Sequence, residues 1–95
     1  MIHVMARITV KPEFAAQARG ILTTLVNETR KESGCLAYEL FQGQDAAHVF
    51  QTVEQWADEA SADAHMSTPH VVAAIAAAGP MFSAPPEILP FAKLM

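Results

Sequence analysis

The segment VEQWADEASADAHMSTPH, Val53 to His70, decides the fold, because a predicted strand ends in it and two predicted helices follow. Its first residues alternate as a strand does, its centre favours a helix, and Thr68-Pro69 begins a second helix. The same segment holds the only tryptophan, Trp56, and two of the four histidines, His65 and His70. Other side chains able to do chemistry are few, so a functional site is expected to draw on this segment.

A β-hairpin is predicted immediately before the helices. Cys35 to Gly43 and His48 to Trp56 each alternate in side-chain type, and the polar turn between them is short. A short connection of this kind predicts that the two strands pair antiparallel. On the second strand, one face carries Phe50, Thr52, Glu54 and Trp56.

The N-terminal part predicts a strand followed by a long helix. Residues 2–10 alternate, and the apolar face of this strand, which should meet helices, carries Ile2, Val4, Ala6, Ile8 and Val10. The helix is predicted to begin at Lys11-Pro12-Glu13 and to stop at Ser33-Gly34. Its apolar residues recur at spacings of three and four, which predicts a single buried stripe formed by Phe14, Ala18, Ile21, Leu22, Leu25 and Val26.

Two further helices and a strand complete the chain. Asp58 to Met66 and the run from Thr68-Pro69 to Gly79-Pro80 are predicted helices. Ile88 to Leu94 is the last predicted strand, and Pro90 places it at an edge or a bulge. The order βαββαβ over a single domain, residues 2–94, predicts a ferredoxin-like α+β fold, in which helices cover one face of an antiparallel sheet.

The other face of this sheet would stay uncovered in a monomer. The predicted facing places Met5, Phe50 and Trp56 there, or the alternate residues if the register is shifted by one. Composition points the same way, because 52% of the 95 residues are hydrophobic and so small a domain cannot bury them all. We therefore expect both a homodimer and an internal ligand cavity.

Charge and motifs argue against several classes of protein. The net charge is −4 and the six basic residues are scattered, which disfavours nucleic-acid binding. A single cysteine, Cys35, excludes an intrachain disulfide and fits a cytoplasmic location. No signal peptide is visible, and the longest apolar run, Val71 to Gly79, is far shorter than the roughly 20 residues that span a membrane. Because nicotinamide, flavin and nucleotide motifs are absent, no cofactor is expected.

His65 and His70 are the candidates for acid–base chemistry, since imidazole titrates near neutral pH. Their spacing of five residues crosses a helix break, and no third ligand accompanies them, so no metal site is expected. The alternative for either histidine is a local role at a helix end.

Three more side chains are candidate ligand contacts. Glu54 and Trp56 are two residues apart on a strand and share a face. Trp56 is expected to be a buried anchor, and Glu54 to form a salt bridge with Arg7 or with a second subunit. Tyr38 either donates a hydrogen bond into a pocket or packs as an ordinary half-buried strand residue.

Four segments together resemble the antibiotic biosynthesis monooxygenase (ABM) domain family. They are ARITVKPE (Ala6 to Glu13), ESGCLAYEL (Glu32 to Leu40), VEQW (Val53 to Trp56) and AHMSTPH (Ala64 to His70). The resemblance covers nearly the whole chain. It implies a dimeric α/β barrel, in which two ferredoxin-like subunits pack sheet against sheet.

One branch that the chain resembles consists of cofactor-independent monooxygenases, which oxidise aromatic quinols, phenols or anthrones with O₂. In such an enzyme a base removes a phenolic proton, the anion passes an electron to O₂, and a dry pocket protects the intermediates. The resemblance implies His65 as the base, with His70, Tyr38 or Glu54 as orienting groups. Trp56 and Phe41 would form the wall of the pocket.

Other readings of the resemblance fit less well. A haem-degrading branch uses Asn, Trp and His at positions that align with Ala6, His65 and Ile75, and none matches. A third branch isomerises a small phosphorylated signalling metabolite and has a similar AHMSTPH segment. The helix start at Thr68-Pro69 suits phosphate, but Lys and Arg are lacking nearby. This isomerase, or a non-catalytic dimer that binds a small molecule, is the alternative.

Overall fold

The computed structural model describes all 95 residues and has the predicted βαββαβ order. Four strands form one antiparallel sheet in the spatial order β2-β3-β1-β4: β1 (Ile2–Thr9), β2 (Cys35–Gln42), β3 (Val49–Trp56) and β4 (Glu87–Phe91). Three α-helices accompany the sheet: α1 (Ala15–Thr29), α2 (Glu59–His65) and α3 (Pro69–Ala78). The ferredoxin-like α+β fold predicted from the sequence is confirmed.

The helix starts follow local capping chemistry. The Asp58 carboxylate accepts a hydrogen bond from the Ser61 N–H at 2.7 Å, which lowers the pKa of Asp58 and begins α2. Thr68 caps α3 in the same way, and Pro69 occupies its first position. A 3₁₀ turn at Pro12–Phe14 precedes α1. No helix of the fold combines the length and the apolar character needed to cross a membrane.

The predicted ends of the first helix and of the last strand lie several residues beyond the ends in the structure. The first helix ends at Thr29, where turn hydrogen bonds replace the helical ones, and Glu32 N–H donates to the Thr29 carbonyl at 3.0 Å. The last strand ends at Phe91 and pairs with β1 alone. Its edge position, predicted from Pro90, is confirmed.

The pairing of β1 with β3 decides which side chains meet the helices. Ile2 lies opposite Trp56 and Ile8 lies opposite Phe50. Residues directly opposite one another project from the same side of a sheet. Phe50 and Trp56 therefore point toward the helices, where each is 1% exposed. Their predicted place on the uncovered face is wrong, whereas Met5 does lie on that face.

The core forms where α1 crosses the covered face. The larger cluster consists of Ile8, Val10, Ala18, Leu22 and Phe50. A smaller cluster, Val26, Tyr38 and Trp56, extends it toward α2. Since Ala18, Leu22 and Val26 all belong to the stripe predicted for the first helix, that helical face is confirmed.

The uncovered face of the sheet, here called the open face, keeps several large apolar side chains in contact with solvent. Phe41 is 52% exposed, Leu89 53% and Phe91 47%. Strand alternation places all three on the same side as Met5 and Val53.

Truncation of two phenylalanines tests this assignment of the faces. Phe50→Ala should lower the free energy of unfolding by about 3–5 kcal/mol, because it empties a packed core position. Phe41→Ala makes the same change on the open face and should cost about 1 kcal/mol or less. Urea denaturation at two protein concentrations would separate any contribution from subunit contacts. Equal losses of unfolding free energy in the two variants, independent of protein concentration, would contradict the assignment.

Candidate functional site

A cavity of about 520 Å³ lies between the covered face of the sheet and the helices. Most of its wall is apolar, and its polar or ionisable lining residues are Tyr38, Glu54, Glu59, Asp63 and His65. Trp56 also lines it, and no Lys or Arg does. The sequence-predicted residues Tyr38, Glu54, Trp56 and His65 are thus brought together around one space.

A shared carboxylate joins the two histidines. Glu32 Oε2 lies 2.7 Å from His65 Nδ1 and 2.8 Å from His70 Nε2. The three residues come from different places: Glu32 from the turn after α1, His65 from the end of α2 and His70 from the start of α3. Their side chains are largely buried, with 16%, 6% and 20% exposed, respectively.

Close backbone packing brings these three elements together. A Cβ atom at Gly34 would overlap the side chain of Ser61, so glycine allows the turn that carries Glu32 to approach α2. Gly34 also accepts the Ala57 N–H at 2.9 Å. The Thr68 hydroxyl donates to the His65 carbonyl at 2.7 Å and fixes the break between α2 and α3. The break turns both histidines toward Glu32 despite their non-helical spacing.

The shared carboxylate fixes the proton on His65. An ionised carboxylate only accepts hydrogen bonds, so His65 Nδ1 must carry the hydrogen. In the neutral imidazole this leaves Nε2 with its lone pair free. Nε2 has no hydrogen-bond partner within the chain, and His65 lines the cavity. His65 therefore offers Nε2 as a proton acceptor, while the Glu32 carboxylate holds the ring through Nδ1.

Glu54 is held by its own strand. Its Oε2 accepts from the Thr52 hydroxyl at 2.6 Å and its Oε1 accepts from the Trp56 indole N–H at 3.0 Å. Thr52 in turn accepts the Ala6 N–H at 3.1 Å. Glu54 is 5% exposed and makes no salt bridge within the chain. The expected ion pair with Arg7 is wrong, because Arg7 projects from the open face.

Three aromatic rings form one side of the site. The Trp56 ring centroid lies 4.7 Å from that of His65, and the Tyr38 centroid lies 5.5 Å from His65 and 6.3 Å from Trp56. The Tyr38 hydroxyl makes no hydrogen bond within the chain, although only 4% of the residue is exposed. Burial, and then the nearby Glu54 charge, raise the pKa of Tyr38, which keeps it a neutral hydrogen-bond donor.

The Cys35 thiol lies beside this group. Burial and the charges of Glu32 and Glu54 raise the pKa of Cys35. Since the thiolate is the reactive form, this environment disfavours Cys35 as a nucleophile.

Comparison with known proteins agrees with the fold. The family model described as antibiotic biosynthesis monooxygenase (ABM) matches residues 1–77. The chain belongs to this family. A Bacillus subtilis (strain 168) protein named "Putative monooxygenase YcnE" is 33% identical over 89 residues, 94% of each chain. The Mycobacterium tuberculosis protein named "Putative monooxygenase Rv0793" is 26% identical over 93 residues, 98% of this chain and 91% of its own.

Solved structures of ABM proteins superpose closely. One described as an antibiotic biosynthesis monooxygenase has a TM-score of 0.94 at 28% identity, with both chains covered completely. The structure of Rv0793 has a TM-score of 0.90 at 26% identity and covers 99% of this chain and 95% of its own. The ABM fold thus extends over the whole chain, including β4 beyond the matched residues.

Two predicted site residues lie elsewhere. Phe41 does not line the cavity, because strand alternation places it on the open face, opposite to Tyr38. Its expected role in the pocket wall is wrong for this cavity. His70 is also absent from the lining and lies behind His65, where it contacts Glu32. Glu32 is the residue that sequence reasoning missed as a site member, although it opens the ESGCLAYEL segment of the ABM resemblance.

Glu32, His65 and His70 also form a possible ligand set for a divalent metal. Their ligand atoms lie within 4.8 Å of one another, and two imidazoles with a carboxylate suit zinc or iron. The third ligand that seemed missing from the sequence is therefore present. In this structure, the three side chains are joined by two hydrogen bonds from the histidines to Glu32 Oε2.

The alkaline titration of Tyr38 tests the buried environment, and it can be read cleanly because Tyr38 is the only tyrosine. The raised pKa means that the folded state retains the proton after an unfolded chain would lose it. Stability is therefore complete below about pH 10, the pKa of a free phenol, and falls as the pH rises above it.

We expect phenolate absorbance near 295 nm to appear only together with unfolding, which circular dichroism would follow in the same samples. Ionisation of Tyr38 near pH 10 in a fully folded protein would contradict the buried position.

Proposed function

We propose that this ABM-family chain is a cofactor-independent monooxygenase that oxidises an aromatic quinol, phenol or anthrone with O₂. The observation that carries the proposal is the His65 imidazole. Glu32 fixes its Nδ1 hydrogen, its opposite nitrogen has no partner in the chain, and the residue lines a cavity whose wall is mostly apolar. A base oriented by a carboxylate beside such a wall suits removal of a proton from an aromatic hydroxyl group.

The proton transfer would use His65 Nε2 as the acceptor. As the imidazole becomes positively charged, the Glu32 carboxylate 2.7 Å away stabilises it. His70 donates to the same Glu32 oxygen and holds that carboxylate in place. His70 is thus proposed as a positioning residue that does not touch the substrate.

The oxygen step would use the electrons of the substrate anion. The anion passes an electron to O₂, and the two radicals combine into a peroxide anion. The protonated His65 returns its proton to this anion, and the resulting hydroperoxide loses water. One oxygen atom enters the substrate and the other leaves as water, so the substrate supplies all the electrons. The neutral Tyr38, which lines the same cavity, would donate a hydrogen bond from its hydroxyl to the negative oxygen that develops. The apolar wall would keep water away from the intermediates.

The cavity lining disfavours the alternative functions. A phosphorylated substrate needs cations, but no Lys or Arg lines the cavity, whereas Glu54, Glu59 and Asp63 do. At the start of α3, the Val71 N–H already bonds to Thr68. In the haem-degrading branch, Asn and His would align with Ala6 and Ile75, which form apolar parts of this cavity wall.

We also propose that the chain is a cytoplasmic homodimer. The open face exposes Phe41 on one edge strand and Leu89 and Phe91 on the other, and a monomer would leave all three in water. A second sheet packed on this face would bury them. The single unpaired cysteine, Cys35, fits a reducing compartment.

Oxygen uptake tests the proposed reaction. Protein treated with a chelator should consume O₂ with hydroquinones, naphthols or anthrones faster than autoxidation does. His65→Ala should lower kcat by about a hundredfold or more, because the general base is lost. Glu32→Gln should lower kcat by about tenfold, because the imidazole loses its charged partner. His48→Ala, which removes a histidine outside the cavity, serves as the matched control and should leave uptake unchanged.

The results of these oxygen-uptake measurements distinguish the proposed monooxygenase from the alternative functions. Equal uptake by wild type and His65→Ala would remove His65 as the base while leaving the reaction in place. Uptake that requires added metal would contradict cofactor independence. Absence of uptake above autoxidation on every substrate would favour the isomerase or a non-catalytic binding dimer.

Sedimentation analysis tests the homodimer. Wild type should have the mass of two chains, and Leu89→Asp should shift it to one chain, because the variant buries an unpaired charge against the partner sheet. Val72→Asp adds the same charge on α3, at a position that is 58% exposed, and should remain dimeric. A monomeric wild type at micromolar concentration would refute the proposed assembly.

A further inference from the structure

The proposed reaction gives no role to the buried carboxylate of Glu54, which lines the cavity. Burial of a charged group is costly unless an opposite charge or hydrogen bonds compensate it, and Glu54 has no cation partner. A purely structural position in this apolar wall would be served by a hydrophobic side chain. The chain instead surrounds the carboxylate with donors from Thr52 and Trp56.

The two donors leave Glu54 able to accept more. A carboxylate offers about four acceptor positions, and Thr52 and Trp56 occupy one on each oxygen. The residue lines the cavity, so its remaining positions can be reached by a ligand. An incoming hydroxyl group would find in Glu54 a fixed, charged acceptor whose geometry is set by its own strand.

Trp56 connects this acceptor with the proposed base. Its indole N–H donates a hydrogen bond to Glu54, while the centroid of its ring lies 4.7 Å from the centroid of the His65 ring. Since both polar groups line the same cavity, a flat ligand there would meet His65 with one oxygen and Glu54 with another. The negative charges of Glu54, Glu59 and Asp63, with no cation among the lining residues, would repel an anionic ligand.

We infer that Glu54 determines specificity by accepting a second hydroxyl group of the ligand, so that the cavity selects neutral dihydroxyaromatic molecules over monohydroxy and anionic ones. The inference deepens the proposed function and rests on the same cavity. Glu54 binds and orients the ligand in this scheme and takes no proton in the reaction.

Calorimetric titration without oxygen tests the inference, because it measures binding separately from turnover. The probes are dihydroxynaphthalene, naphthol and naphthyl phosphate, which share one ring system. Wild type should bind the diol at least about tenfold more tightly than naphthol, as expected for a hydrogen bond to a charged group. Naphthyl phosphate should bind more weakly than either.

Two variants localise the effect. Glu54→Gln removes the charge at nearly constant shape, and it should reduce the preference for the diol to about threefold or less and strengthen naphthyl phosphate binding. Glu13→Gln removes the same charge at an exposed position outside the cavity, and it should leave both comparisons close to wild type. Circular dichroism and thermal melting would confirm that each variant is folded.

Several results would overturn the inference. One is equal affinity of wild type for the diol and for naphthol, and another is tight binding of naphthyl phosphate to wild type. The third is an equal effect of the two variants on these affinities. The wild-type comparison stands even if Glu54→Gln fails to fold. Since no step needs turnover, a preference for the diol without oxygen uptake would refute the monooxygenase alone, and uptake without the preference would refute the role of Glu54 alone.

Discussion

The register between β1 and β3 is the constraint on which the rest of the structure depends. With Ile2 opposite Trp56 and Ile8 opposite Phe50, one side of the sheet carries the core and the lining of the cavity. A shift of one residue would move Glu54 and Trp56 to the open face and leave the helices over Val53 and Gln55. The same pairing places Thr52 beside Ala6, so that the Ala6 N–H supports the hydroxyl that holds Glu54.

A second, more local constraint acts around Glu32. Glu32 leaves the end of α1 through a turn whose Gly34 packs against Ser61 of α2. Without that approach, the carboxylate could not reach histidines on two separate helices. The site thus has two parts, one formed by side chains of a strand and one formed by side chains at helix ends. The strand part contains Glu54 and the helix part contains His65, and Trp56 lies between them.

Features with a local signal could be predicted from the sequence. The alternation in β1, the stripe of α1 and the edge position of β4 each follow from residues close together in the chain, and each prediction was confirmed. The facing of Phe50 and Trp56 could not be predicted with certainty, because both sides of β3 carry apolar residues and only pairing with β1 distinguishes them. Glu32 was missed as a site member because its partners lie 33 and 38 residues away.

Two other errors had signals that were available in the sequence. Phe41 and Tyr38 are three residues apart on one strand, so they cannot line the same cavity. Thr52 and Trp56 flank Glu54 at a spacing of two on the same face, and each carries a hydrogen-bond donor. That pattern favours a carboxylate held by its own strand over an ion pair with Arg7.

A ligand held in the cavity would also lengthen the lifetime of the protein in a cell. Only 15 of the 95 residues are buried, and the cavity measures about 520 Å³. A molecule that occupies this space binds the folded chain alone, so it shifts the folding equilibrium by mass action. Empty protein unfolds more often and is exposed to proteases more often. The abundance of the chain would then follow the supply of its own ligand.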